Sequence, residues 1–153
     1  MRVYLDACCL SRLTDDQSQE RVRAEAEAVE NVLRMVRQRA STWVSSTVLE
    51  IELSRNPDLE RRRDAEVLLL FAEEVVVPGS AEADRARQLE EHGFGPFDAL
   101  HLASAEKGCV DAFLTTDDDL LRCARRNPGL LHGTPSPSFS GNWGVTDWPV
   151  SSV

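Results

Sequence analysis

The sequence predicts an α/β domain, a three-layer sandwich with a mainly parallel sheet and helices on both faces. Three observations carry this. Short β-prone apolar runs alternate with longer helical stretches along the chain. Val22, Ala26, Val29, Leu33 and Val36 recur at spacings of 4, 3, 4 and 3, one face of a 3.6-residue period. The chain has 153 residues, 42% hydrophobic and 28% charged, the size and balance of one globular domain with its own core.

Taken in order, residues 2–5 form a short apolar run closed by Asp6 and read as the first strand. Residues 18–39 are the long helix carrying the apolar stripe. Residues 43–46 are β-prone, and 47–55 read as a short helix stopped by Asn56-Pro57. Residues 58–74 are helical, with a buried-looking patch at 67–72. Three valines, Val75 to Val77, form the third strand, closed by Pro78-Gly79. Ser80 is positioned to cap a helix over 81–91, and Gly93 ends it. Pro96 opens the next helix, 97–107, whose small residues (Ala99, Ala103, Ser104, Ala105) permit close packing on a sheet. Residues 112–116 are the fourth strand, and 117–126 a helix stopped by Asn127-Pro128-Gly129. A last strand starts at 129–131. The domain is therefore assigned to 1–132. Residues 133–153 are rich in Gly, Pro and Ser and show no periodic pattern. They read as an irregular tail whose Trp143 and Trp148 pack on the body or on a partner.

Several function classes are excluded early. The longest apolar run, 67–72, is far short of the ~20 residues of a membrane span. The N-terminus runs directly into an acid and lacks a signal-peptide apolar region. Cys8, Cys9, Cys109 and Cys123 offer no C-x-x-C spacing, so they read as thiols of a reducing, cytoplasmic compartment. Net charge is −9, divided almost evenly between the two halves of the chain. That is unlike an ordinary nucleic-acid binder, which shows a basic surplus. It is compatible with a protein that gathers carboxylates to hold divalent cations.

The acids fall where such a site would form. In open parallel sheets, sites lie outside the carboxyl ends of the strands. Asp6 ends strand one, Glu50 and Glu52 lie on the helix after strand two, and Asp117, Asp118 and Asp119 follow strand four. Asp98 lies in the first turn of the helix opened by Pro96. Each has a structural explanation: Asp at a helix start caps free N–H groups. Together they are sequence-distant acids that one topology brings to one rim. Carboxylates so crowded repel, and Mg²⁺ or Mn²⁺ relieves the repulsion through oxygen ligands. Carboxylate-held metal ions suit hydrolysis of a phosphodiester, and the substrate then binds through the metal rather than a basic surface.

Four segments resemble a PIN-domain nuclease, of the VapC-like kind found as the toxin in bacterial toxin–antitoxin pairs. Val3-Tyr4-Leu5-Asp6 resembles the family's first strand and first acid. Residues 45–53 resemble its second segment, in which a Ser (Ser46) precedes Glu-Leu by six positions, a register that selects Glu52 over Glu50. Residues 97–105 resemble the D-A-x-x-x-A-x-A helix, and 114–120 the T-x-D-x-D segment. The resemblance implies an endoribonuclease dependent on Mg²⁺ or Mn²⁺, with Asp6, Glu52, Asp98 and Asp117 as catalytic and metal-binding acids. It implies auxiliary roles for Asp119, Glu50, Ser46 and Thr116 or Thr115. It also implies an RNA substrate, a homodimer and a small inhibitory antitoxin as partner. One departure stands out: the family's usual Ser or Asn two residues after the first acid is Cys8 here.

Other residues carry paired readings. His101, three residues after Asp98, either orients that carboxylate, binds metal, or fills a helix–sheet contact. Arg122, Arg125 and Arg126 lie on the helix that begins at the proposed site and either guide an RNA backbone or line a solvated face. For Arg61, Arg62 and Arg63 the solvated face is favoured, with local pairs to Glu60, Asp64 and Glu66. The competing function is a catalytically weak or silent module of the same fold that binds RNA or a partner protein. Aspartyl-phosphate chemistry fits poorly, because Asp6-Ala7-Cys8 is not D-x-D and the only Lys, Lys107, ends a helix.

Overall fold

The first strand, β1 (Arg2–Leu5), sits at the middle of the sheet, and its side chains alternate between two cores. Val3 and Leu5 join one apolar cluster and Tyr4 the other, the period of two that a strand buried on both faces requires. The computed structural model describes residues 1–131 and the backbone of Gly144–Asp147. After β1 come α1 (Ala7–Arg12), α2 (Glu20–Arg37), β2 (Thr42–Ser46), α3 (Thr47–Ser54), α4 (Leu59–Leu69) and β3 (Glu74–Val76). There follow α5 (Ser80–Glu91), α6 (Pro96–Lys107), β4 (Ala112–Thr115), α7 (Asp118–Arg126) and β5 (Gly144–Asp147).

The strand order is β3-β2-β1-β4-β5. The first four strands are parallel, with Val3 opposite Trp43 and Ala112, and Ser45 opposite Val75. One core lies under α1 to α4, where Leu10, Val29, Leu33, Leu49 and Ala65 meet Val3, Leu5 and Leu114. The other lies under α5 to α7, where Leu89, Leu102, Leu120 and Ala124 meet Tyr4, Val44 and Phe113. The predicted sandwich is therefore observed. Strand order reverses about β1: α1 leaves it toward one face, and α7 leaves the neighbouring β4 toward the other. That switch point opens a crevice at the carboxyl ends of β1 and β4.

Several local expectations are corrected. A six-residue helix, α1, follows Asp6 directly, where the sequence shows no periodicity. The 58–74 helix ends at Leu69, and its apolar patch is only partly covered. Leu68, Leu69 and Ala72 pack on the core, whereas Val67 is exposed and Leu70 is 82% exposed. Six consecutive apolar residues wind around every side of a turn, so a single face can bury only half of them. Gly79, not Ser80, occupies the cap of α5, and the Glu82 carboxylate accepts from the Gly79 amide at 2.6 Å. The left-handed backbone at Gly93 (φ 96°) then closes that helix.

Residues 128–130 form a turn rather than the start of a strand. The fifth strand is β5, inside the segment read as irregular; it pairs antiparallel with β4, Thr146 opposite Phe113. Trp143, Trp148 and His132 lie outside the described residues. No helix among the described residues is long and apolar enough to cross a membrane.

Candidate functional site

The crevice between β1 and β4 is built from the ends of four segments. Asp6 leaves β1 while its amide still donates to the Leu114 carbonyl of β4, at 3.1 Å. Its side chain turns back to accept from the Cys9 amide at 3.0 Å, which starts α1. Asp117 does the same one strand away, where its Oδ1 accepts from Asp119 and Leu120 and starts α7. Thr115 stands beside both: its hydroxyl accepts from the Asp117 amide at 3.0 Å and lies near enough to the Asp6 carboxyl to favour its charged form. Capping and clustering are thus served by the same two side chains.

Asp98 enters from α6. Gly95 is the cap of that helix and Pro96 its first residue. A Cβ at position 95 would stand 2.8 Å from Oδ2 of Asp98, so the missing side chain leaves room for the carboxylate at the helix start. Glu52 enters from α3. Its Oε2 meets Nε2 of His101 at 2.6 Å, and its side chain is 35% exposed. Beside these acids lies a cavity of about 600 Å³ whose wall includes Cys8, Glu52, Thr116 and Asp117.

Electrostatics ties the four together. Burial pushes the Asp6 carboxyl up to about 6; the nearby Thr115 hydroxyl and the Cys9 hydrogen bond offset part of that, and the Glu52 charge adds to it. Burial also pushes Asp98 up to about 6, followed by the charges of Asp117, Asp6 and Glu52. Cys8 is raised by burial and then by all four acids, Asp6 the strongest, so it remains a neutral thiol.

The donor chemistry fits a hard divalent cation. The set is all oxygen, two of its members resist ionising beside their neighbours, and the buried Thr116 Oγ1 at the cavity wall has no hydrogen-bond partner among the described residues. As they stand, no three His, Cys, Asp or Glu side chains among the described residues form a group able to hold a metal ion. In this arrangement the caps hold Asp6 and Asp117, and His101 holds Glu52. Asp117 Oδ2 and Glu52 Oε1 make no hydrogen bond among the described residues.

The family pattern of the PIN domain matches residues 3–126. The chain belongs to the PIN domain family. PIN domains are generally metal-dependent nucleases. No curated protein matches the chain.

Within this PIN domain the remaining sequence-predicted residues are distributed unevenly. Glu50 points to solvent from α3 while Glu52 faces the crevice, as the register from Ser46 requires. Ser46 is fully buried beneath the site, where its hydroxyl caps α3. Asp119 is exposed and ion-paired to Arg122. Arg125 and Arg126 lie in the last turn of α7, the end away from Asp117. Arg61 pairs with Asp15 at 2.9 Å, and with Asp58, rather than with the acids expected.

Two residue groups were not singled out from sequence. Arg12 and Arg55 line the cavity. Arg12 is held by Asp15 at 2.8 Å and by the buried Glu25 at 2.5 Å, and Arg21 bridges Glu25 to Asp118. Arg55 forms no ion pair among the described residues; its guanidinium lies over the Phe97 ring, 5.0 Å from the centroid. The second is Tyr4, which meets His101, a residue the sequence did mark. His101 is 2% exposed and bonds Glu52, not the Asp98 one turn before it. The sequence signal for Arg55 was its place three residues after Glu52, at the stop of a short helix.

Proposed function

We propose that this PIN domain is an endoribonuclease dependent on Mg²⁺ or Mn²⁺, and the toxin component of a toxin–antitoxin pair. What supports the reading is the mutual electrostatic influence of Asp6, Glu52, Asp98 and Asp117, all of which also act on Cys8, next to an open cavity whose wall includes Glu52 and Asp117. When bound, a divalent cation would supply a polarised water and charge stabilisation for phosphodiester hydrolysis. Asp6, Asp98, Asp117 and Glu52 would hold it.

The chain's own contribution is positional. Asp6 and Asp117 are fixed by the helix starts they cap, and Glu52 by His101. Arg55, resting on Phe97 and lining the cavity, would offer guanidinium N–H groups to a phosphate beside the acids. In a protein of net charge −9, this local cation steers an RNA backbone better than the surface at large. Arg55→Gln is expected to raise the KM for single-stranded RNA about tenfold with little change in kcat. It should also flatten the salt dependence of RNA binding by about one phosphate contact. An unchanged KM and salt slope would remove Arg55 from the substrate path.

The reading is tested by Mn²⁺- or Mg²⁺-dependent cleavage of single-stranded RNA, lost in Asp98→Asn. Induced expression should arrest growth with the wild type and not with that variant. The toxin assignment, a homodimer and a small inhibitory partner rest on the likeness of the four segments to toxins of this family. One observation favours a second reading: among the described residues no three acids stand as a ready-made metal group. A module that binds RNA or a protein without cutting would show RNA binding and no cleavage under any divalent metal.

A further inference from the structure

We infer that Tyr4 and His101 are positioning residues that fix the Glu52 carboxylate through a one-directional hydrogen-bond chain beneath the acids. The inference rests on the reading of Glu52 as one of the metal-holding acids. The chain is continuous. The Leu49 amide reaches the Ser46 hydroxyl at 3.3 Å, Ser46 meets the Tyr4 hydroxyl at 2.5 Å, Tyr4 meets His101 Nδ1 at 2.7 Å, and His101 Nε2 meets Glu52 at 2.6 Å. Ser46 and Tyr4 have no exposed surface and His101 almost none, so water cannot complete a missing bond.

Proton bookkeeping then selects the arrangement. Ser46 already accepts from the Leu49 amide, so its own O–H must donate elsewhere, and Tyr4 is the acceptor present. Tyr4 in turn must donate to Nδ1. Nδ1 is therefore the acceptor, and the ring proton on Nε2 goes to Glu52. The opposite tautomer would make Tyr4 donate back to Ser46. The Ser46 proton would then have no acceptor among the described residues, and Glu52 would have to be a protonated donor. An imidazolium leaves the same Ser46 proton stranded.

The chain's members are local to three of the four acids. Tyr4 is two residues before Asp6, Ser46 begins the helix of Glu52, and His101 is one turn after Asp98. A single buried thread thus links β1, α3 and α6 and sets the spacing of Glu52 from the acids on the other two segments. Outer partners of this kind commonly change metal affinity or activity 10–100-fold when removed.

Tyr4→Phe is the clean probe, because it deletes the hydroxyl but keeps the ring that stacks on Phe113 at 5.3 Å. In the metal-free wild type, ¹⁵N NMR should show His101 with a protonated Nε2 and a bare Nδ1. In Tyr4→Phe that signature should become mixed. The affinity for Mn²⁺ alone should fall 10–100-fold, and excess Mn²⁺ should restore cleavage. A wild-type His101 protonated on Nδ1, or a folded Tyr4→Phe with unaltered Mn²⁺ affinity, would overturn the inference. The wild-type tautomer needs no variant, so a misfolded Tyr4→Phe leaves the test intact. A wild type that binds Mn²⁺ but never cuts RNA would sink the nuclease reading alone.

Discussion

Asp6→Asn is expected to abolish RNA cleavage and, at pH 7.5, to yield a protein harder to unfold than the wild type. The first effect follows from losing a charged oxygen donor at the crevice. The second follows from the cost of ionising a carboxyl that is almost completely buried. Asp6 titrates near 6 when folded against an ordinary 3.8, so the folded protein binds this proton more tightly than the unfolded chain. Stability from this group is complete below about pH 4 and is lost as pH rises through about 6. The shift corresponds to at most roughly 3 kcal/mol, since each pKa unit is about 1.4 kcal/mol. Asn escapes this cost and still caps α1, because Asn and Asp are nearly equivalent caps. A thermal-melt series from pH 4 to 8 should show wild type and Asp6→Asn converging at the acid end, drawing apart up to about pH 6 and keeping that gap above it. An Asp6→Asn melting below the wild type at pH 7.5 would show that the carboxylate stabilises the fold instead. Asp98→Asn should follow the same course with a smaller gain, because Asp98 is less deeply buried.

Mn²⁺ should reverse that cost. A ligand that binds only the folded state at a hundred times its Kd adds about 2.7 kcal/mol. For a chain of this size that raises Tm by about 5–10 °C. The shift should vanish with EDTA, shrink sharply in Asp98→Asn, and weaken below about pH 6, where Asp6 and Asp98 hold protons that the cation must displace. Equal shifts in the wild type and in Asp98→Asn would place Mn²⁺ elsewhere on the molecule. Cleavage should rise over the same pH window, since the acids serve only when ionised.

Much of this was legible in the sequence, for identifiable reasons. Strands buried on both sides must be short apolar runs, and β1, β2 and β4 were read as such. The acids at their ends could be placed together because parallel topology fixes which end of each strand opens on the crevice. The resemblance around Ser46 pointed to Glu52 over Glu50, and of the two it is Glu52 that lines the cavity. What escaped depends on facing, which a linear string does not carry. The run at 67–72 could not say which half meets the core. Helix α1 is too short to show a period. Tyr4 reads as core and His101 as a local neighbour of Asp98, yet their partners lie on β2 and α3. Strand β5 hides in a Gly- and Pro-rich context where alternation is lost.

The neutral thiol at Cys8 has a practical corollary. Alkylating reagents and mild oxidants attack thiolates, and this sulfur is kept from becoming one by its burial and by the carboxylates around it. Cys109 is exposed at the opposite end of β4 from the crevice. Thiol-directed fluorophores should therefore mark Cys109 first, so a dye can report on the molecule while its reactive end stays untouched.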